Sequence, residues 1–441
     1  MSSRRGRNTM GITRRQRRAG AVLLAAMTLL ATACGTSQDT GDSSQQTASA
    51  ASSDQSGGVT DYLEYTQGKS GSADKSLKPV RIGWVNQQGG QLAFPNATKG
   101  AQAAVKYINN KLGGINGHPL ELATCYVSST ESEGTSCGQQ LVNDSSVKTI
   151  LYGSLLTGSQ SLLSVNNGEK PILMANSISS TDAAAKNVFI YNGNPQSIFG
   201  GIAAYLKQIN AKTVSVLYPQ DSRTIAGVQS LQKILKSLGI KDDAVGFDPS
   251  ATDITAPAVA SNAQSNDAVV VLASSPPLCI ATAKALDSLA VTSPVIGAGS
   301  FCFSEDVAKG LGGEAPKWIQ DSVQSNVADD TLADVQAYRK AATEAGLSDD
   351  DLTDSDASLA WALVMTSARL LNTGGGESAT AASIAKEAEA FTGPMLLGST
   401  EVKCGAYDSA PGLCGAQSRE FKHDGNGKFS AVSDWLDPEG L

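Results

Sequence analysis

The feature that most restricts the fold is a repeated pairing of a short apolar run without polar alternation and a stretch at helical spacing. "VRIGWV" (80–85) leads into "NATKGAQAAVKYINNKL", where Ala101, Ala104, Val105 and Ile108 fall on one helical face. "GGING" (113–117) ends that helix, and "LELATCYV" (120–127) starts the next strand. "VKTILYG" (147–153), "PILMAN" (171–176) and "VFIYN" (188–192) continue the series, separated by helix-length segments. A second series opens at "TVSVLYP" (213–219) and runs through "AVGF" (244–247), "AVVVLA" (268–273) and "PVIGAG" (294–299). Its intervening stretches "GVQSLQKILKSLG" and "IATAKALDSLA" have helical spacing. Strands that are apolar on both faces, each followed by a helix, belong to parallel sheets covered on both sides. Two such series predict an α/β chain of two doubly wound parallel-sheet lobes.

The remaining segments extend this plan. "KWIQDSVQS" (317–325) is predicted to cross back to the first lobe, which helices over 330–346 and 356–373 complete. "DASLAWALVMTSARLL" is apolar almost all round, as a helix enclosed by a core is. The tail from about 400, with "KFSAVSDW" (428–435), is expected to rejoin the second lobe. The expected lobes are therefore 80–198 plus 323–400, and 199–322 plus 401–441, joined by a multi-crossover hinge near 198, 322 and 400. About 360 residues for the globular part suit two domains. Trp318, Trp361 and Trp435 read as core or lobe-packing residues.

The N-terminus has a different character. Residues 1–33 carry seven arginines and no acidic residue, and "AGAVLLAAMTLLATA" is too short and Ala-rich for a good membrane span. A basic head, a short apolar middle and small residues before a cut site make an export signal. Ala31-Thr32-Ala33 before Cys34 resemble a bacterial lipobox, whose cysteine becomes the lipidated first residue of the mature chain. The alternative is an ordinary secretory signal cut near Ala33; "TRRQRR" also loosely fits a twin-arginine signal. Residues 35–58 use six residue types and no large apolar side chain. Such a segment cannot offset its own ordering entropy, so 34–79 is read as lipidated cysteine plus flexible linker, its last part transitional. Loss of the seven arginines takes the formal net charge from −8 to −15. An acidic exported chain repels phosphate backbones, which argues against nucleic-acid binding.

Six cysteines remain beyond Cys34: Cys125, Cys137, Cys279, Cys302, Cys404 and Cys414. An even number in an exported chain implies disulfides, and among the 15 pairings six cysteines allow, the sequence-near one is expected. That pairing is Cys125–Cys137, Cys279–Cys302 and Cys404–Cys414; free buried thiols are the alternative. The two histidines, His118 and His423, are far apart, and no CxxC motif occurs, so no metal and no cofactor is expected. Neither a GxSxG elbow nor a GxxxxGK[ST] loop is present, and no nucleophile–base pair suggests an enzyme such as a secreted hydrolase. "SDDDLTDSD" (348–356) lacks the glycine and final glutamate of a calcium loop and reads as a solvated helix start.

In open parallel sheets, ligands bind beyond the carboxyl ends of the strands. There the sequence places "SLLTGSQSLLS" after 153 and "SISSTD" after 176, both hydroxyl-rich and both before helix starts. Hydroxyls and backbone N–H groups at a helix start suit a carboxylate or other anion, though plain N-capping uses the same residues. Over roughly 80–400, the pattern "IGWVNQQGG…GAQAAVKYINNKLGGINGHPLEL…ILYGSLLTGSQ…PILMANSISSTD" resembles the type I periplasmic binding proteins of ABC importers. It is closest to the leucine/isoleucine/valine- and amide-binding branch, in the form of an actinobacterial-type lipoprotein. The resemblance implies a first-lobe site of Thr157 with Ser159 near, then Ile178, Ser179 and Ser180, with Phe94 at the cleft mouth.

The second lobe departs from that pattern. Amino-acid binders of this branch place aromatic residues and an acid there, the acid meeting the ligand ammonium. This chain has Ser222, Arg223 and Thr224 in "YPQDSRTIAG", Ser274 and Ser275 in "ASSPPLC", and Gly299 and Ser300 in "GAGSFCF". The ammonium partner is missing unless Asp221 supplies it, while Arg223 suits an acidic or carbonyl-bearing ligand or stands as a surface charge. The implied protein is a monomeric, lipid-anchored solute-binding protein on the extracytoplasmic face of the cell membrane. It would pass an amino acid, amide or short carboxylate to ABC permease subunits. A ligand-sensing receptor signalling to a membrane partner uses the same lobes and is the alternative.

Overall fold

The computed structural model describes residues 58–440 except 91, 92, 180 and 409. Five parallel strands form the first sheet: β1 (Val80–Gln87), β2 (Leu120–Val127), β3 (Val147–Tyr152), β4 (Ile172–Met174) and β5 (Val188–Ile190), in the order β2-β1-β3-β4-β5. The second sheet contains the parallel strands β6 (Thr213–Pro219), β7 (Lys241–Phe247), β8 (Ala268–Val271), β9 (Val295–Ala298) and β10 (Ile319–Ser322). A small ribbon pairs β11 (Thr392–Gly393) with β12 (Val402–Lys403). The chain then adds β13 (Arg419–His423) antiparallel to β10 and β14 (Phe429–Ala431) antiparallel to β13, giving the order β14-β13-β10-β9-β8-β6-β7.

The helices explain why both sheets are apolar on both faces. Around the first sheet lie α1 (Tyr62–Thr66), α2 (Pro95–Lys111), α3 (Glu131–Asn143) and α4 (Ser159–Asn166). The second is flanked by α5 (Pro195–Gln208), α6 (Ser222–Leu238), α7 (Thr255–Ala260), α8 (Pro276–Ser288) and α9 (Glu305–Leu311). The chain returns to the first through α10 (Ala333–Ala345), α11 (Asp349–Leu352), α12 (Ser355–Thr373) and α13 (Ala381–Glu389). Successive strand residues point to opposite faces. Thus Trp84 packs with Ile108 of α2 and Trp361 of α12, whereas Val85 packs with Leu141 of α3 and Leu162 of α4. Leu217 and Val271 likewise meet Leu278 of α8, whereas Val216 and Val270 meet Ile202 of α5 and Leu231 of α6. Each large side chain so buried contributes about 1.5–3 kcal/mol.

As expected from its sequence, α12 is enclosed: Trp361 is fully buried, with Tyr107 and Tyr338 rings 5.6 and 5.8 Å away. Trp318 is buried in the second core. Helices α2 and α12 touch backbone to backbone, and a Cβ on Gly100 would sit 2.7 Å from both Ala357 C and Ala357 Cα. All three sequence-near disulfides are formed: Cys125–Cys137, Cys279–Cys302 and Cys404–Cys414.

Three expectations need correction. The flexible linker does not run through 79, because Tyr62 and Tyr65 of α1 are buried in the first core, Tyr65 Oη 2.7 Å from Thr366 Oγ1. Two tyrosines bury enough apolar surface to order a short segment that composition alone reads as transitional. The first 57 residues, including the signal segment 1–33 and Cys34, lie outside the described residues. The tail also does not join the second lobe at 401. Leu413 bridges Ile190, the Cys414 N–H donates to the Ile190 carbonyl at 2.7 Å, and Leu413 and Ala416 complete the first core. This segment covers the open edge of β5, whose unpaired backbone groups need a partner. The third crossover therefore falls near Gln417. Thirdly, the acidic run 348–356 is not simply solvated: Asp351 pairs with Lys99 at 2.8 Å, and Asp356 faces the interior.

The three connections are tied together. Asn192 Oδ1 accepts the Ser399 N–H (3.2 Å), the Ser325 N–H donates to the Leu397 carbonyl (2.9 Å), and Gln417 Oε1 accepts the Thr400 N–H (3.0 Å).

Candidate functional site

Strand order reverses between β1 and β3 in the first sheet and between β6 and β8 in the second. At such switch points the loops leaving the carboxyl ends diverge, and a crevice opens between them. In the first sheet, two buried amides at the end of β1 hold these loops. Asn86 Nδ2 donates to the Phe94 carbonyl (2.8 Å) while its Oδ1 accepts the Ser154 N–H (3.0 Å). Gln87 Oε1 accepts the N–H groups of Leu156 (2.9 Å) and Thr157 (3.2 Å). The Thr157 main chain is thus fixed by the scaffold, and its half-buried side chain sits just ahead of α4.

The other first-lobe residues differ in what they offer. Ser159 is buried and its hydroxyl donates to Asp182 Oδ1 at 3.2 Å. Ser177 Oγ (2.6 Å) and Gln160 Nε2 (2.5 Å) also donate to Asp182, so this carboxyl ties the loop after β3 to the loop after β4. Burial raises the Asp182 pKa, with the bonds from Ser177, Ser159 and Gln160 pulling the other way. Ser179 lies at the edge with its hydroxyl 2.8 Å from that of Thr181, and Ile178 presents an exposed side chain. Phe94 is half-buried at the start of α2, and Ser180 lies outside the described residues.

At the second sheet, Arg223 lies in the first turn of α6, its side chain outside the described residues. Ser275 occupies the N-cap position of α8 with no capping bond from its side chain, and Ser300 is exposed after β9 beside the Cys279–Cys302 bridge. Asp221 accepts the Thr224 N–H (3.0 Å) and Oγ1–H (2.7 Å), the geometry of a helix cap. The predicted residues therefore divide into two sets at the carboxyl edges of the two sheets.

Sequence reasoning missed a recess in the first lobe lined by Ser154, Asn176 and Asp356, with Tyr152 and Ala360 behind them. Ser154 Oγ donates to Asp356 Oδ1. Burial raises the Asp356 pKa; the Ser154 bond lowers it and nearby Asp354 raises it further. The available signal was the step from acidic to apolar at "TDSDASLAW", which marks a helix start entering a core. Among the described residues no cluster of three His, Cys, Asp or Glu could hold a metal, and no helix is long and apolar enough to cross a membrane.

Comparison with known proteins agrees with this layout. The profile of a family described as "Periplasmic binding protein" matches residues 79–409. No curated protein sequence matches the chain. The fold is similar to that of the branched-chain amino acid transporter substrate-binding protein LivJ of Streptococcus pneumoniae, solved with isoleucine: TM-score 0.61, 17% identity, 82% of this chain and 100% of that one. A fatty acid ABC transporter substrate-binding protein of Thermomonospora curvata gives TM-score 0.62 at 14% identity, over 84% and 95% of the two chains. A solute-binding protein of an ABC transporter from Rhodopseudomonas palustris, solved with p-hydroxybenzoic acid, gives 0.63 at 14% identity over 82% and 98%. At these identities the likeness is one of fold.

Proposed function

The chain belongs to the periplasmic binding protein family, whose members bind substrates for transporters and are not enzymes, and on that premise we propose that it captures a small polar solute between two lobes for an ABC importer. The first lobe comprises 80–198 with the return through α10–α13, and the second comprises 199–322 with β13 and β14. The solute is an amino acid, amide or short carboxylate. Thr157, Ser179, Ser180 and Phe94 meet it from the first lobe; Arg223, Ser275 and Ser300 meet it from the second. One observation carries this reading: Asn86 and Gln87 of the scaffold itself fasten the loops at the first switch point. Preorganised loops spare the ordering cost of binding.

Closure would then be a hinge motion, in which the solute's higher affinity for the closed form shifts the population toward it. The closed form is what the permease engages. Lipidation at Cys34 would hold the protein on the extracytoplasmic face of the membrane and raise its concentration at the transporter.

A thermal-shift screen of amino acids, amides, urea, short carboxylates and p-hydroxybenzoate on the purified protein tests the reading. A ligand at 100 times its Kd should stabilise the protein by about 2.7 kcal/mol. No stabilisation by any of them would refute capture of such solutes. Loss of solute uptake on gene deletion separates import from sensing, which would leave uptake intact.

A further inference from the structure

The least expected polar groups in the molecule lie at the root of the hinge. Asp321 on β10 and Glu420 on β13 are directly opposite in register, 2% and 0% exposed. No oxygen of either carboxyl has a hydrogen-bond partner, nor does the buried Ser418 Oγ beside them. Helix α5 presses on this spot through a glycine: a Cβ on Gly201 would collide with Ser418 Oγ and lie 3.0 Å from Asp321 Oδ1. β10 leads directly into the second connection and β13 follows the third, so the pair spans the strands from which both depart.

The surroundings supply no cation. From α5 the titratable neighbour of Glu420 is Tyr205, whose own pKa is raised by burial and by Glu420. Lys207, farther along α5, is paired with Glu439 at 2.6 Å. β9 contributes Ala298 beside Asp321, and the segment after β14 contributes Ser433, whose Oγ accepts the Glu420 N–H at 2.9 Å. On β13, the Arg419 guanidinium donates to the Ser433 carbonyl at 2.9 Å, and the exposed Lys422 lies opposite Ile319. Among the described residues neither carboxyl makes a salt bridge.

We propose that Asp321 and Glu420 form a proton-binding site at the root of the hinge, where one shared proton fastens β13 to β10 and its departure to solvent loosens that strand and the connection beside it. Two carboxylates are acceptors only and repel across adjacent strands; a single proton turns the contact into an O–H···O bond. Burial is the main cause raising both groups, Asp321 to about 7 against the downward pull of its neighbours Glu420 and Ser418, and Asp321 drives Glu420 further up. Because the folded pKa values exceed the unfolded ones, the stabilisation is complete below the ordinary carboxylate range and is lost as pH rises through about 7 and above.

The test is denaturant unfolding of the full chain between pH 5 and 8.5, for wild type, Glu420→Gln and Asp321→Asn. For each proton retained only by the folded state, the wild-type unfolding constant should rise about tenfold per pH unit. Either variant should flatten that rise, since an amide can donate to the remaining carboxylate. Infrared spectra of wild type at pH 7 should contain a carboxylic-acid carbonyl band that weakens in both variants. Equal pH slopes in all three proteins, absence of the acid band, or removal of the slope by added calcium or sodium would each overturn the proposal.

Discussion

Replacing Gly100 with alanine should weaken the protein by pushing apart two helices that carry the candidate site. The new Cβ would lie 2.7 Å from Ala357 C and Cα, all of it backbone that no rotamer change can move aside. Ordinary carbon contacts are about 3.5–4.0 Å, so α2 and α12 must separate by roughly 1 Å. Overpacking of this kind costs about 1–3 kcal/mol. The gain in helix propensity for Gly→Ala returns at most about 1 kcal/mol; because the clash is with backbone, the cost is expected in the upper part of that range, leaving a net loss of up to about 2 kcal/mol. From α2, Asn96 holds Asp354 (2.8 Å) and Lys99 holds Asp351 (2.8 Å), while Asp356 in the first turn of α12 is held by Ser154 from the loop after β3, so a shift of α12 should also disturb the recess at the edge of β3. Gly310→Ala is the control: its Cβ meets only the Ile280 side chain, nearest at Cδ1, and no backbone, so with the same propensity gain the change should stay within about 1 kcal/mol of wild type. Denaturant unfolding measures both. A Gly100→Ala protein as stable as wild type would refute the close-packing argument.

Other predictions follow from the site. Thr157→Ala should weaken a ligand found by screening by about 1–3 kcal/mol in calorimetric titration, without loss of stability. Ser159→Ala should do the reverse, lowering stability by about 1 kcal/mol with affinity unchanged, because its hydroxyl is committed to Asp182. Glu133 accepts the N–H groups of Ser129, Thr130 and Ser128, which hold its carboxyl down at about 2, as an NMR titration should show. A depressed pKa stabilises above the ordinary carboxylate range and is lost as pH falls toward 2, so Glu133→Gln should have a shallower acid limb in its stability curve.

The architecture was legible because strands buried on both faces leave an unmistakable apolar run, and because consecutive strands such as β1, β2, β3 and β4 are joined by segments long enough for a helix. Short elements were less so. The five residues of α1 carry too little periodicity to signal a helix, and only packing of Tyr62 and Tyr65 reveals it. The place of "GLCGA" on β5 rests on a nonlocal need to cover an edge, which no local pattern records. At the site, the edge loops were legible but the direction of each hydroxyl was not. Thr157 and Ser159 are two residues apart and look alike in sequence; the buried Asp182 decides that Ser159 turns inward. Asp356 was hidden within an acidic run whose other members face solvent, pair with Lys99 or cap a helix.

Closure on a solute is best tested by hydrogen exchange of the full protein with and without a ligand identified by screening. Closure between the lobes predicts slowed exchange in the loops after β3, β4, β6 and β8, together with the three hinge connections. Protection confined to one lobe, or to the outer face around Tyr107 and Lys111, would contradict it.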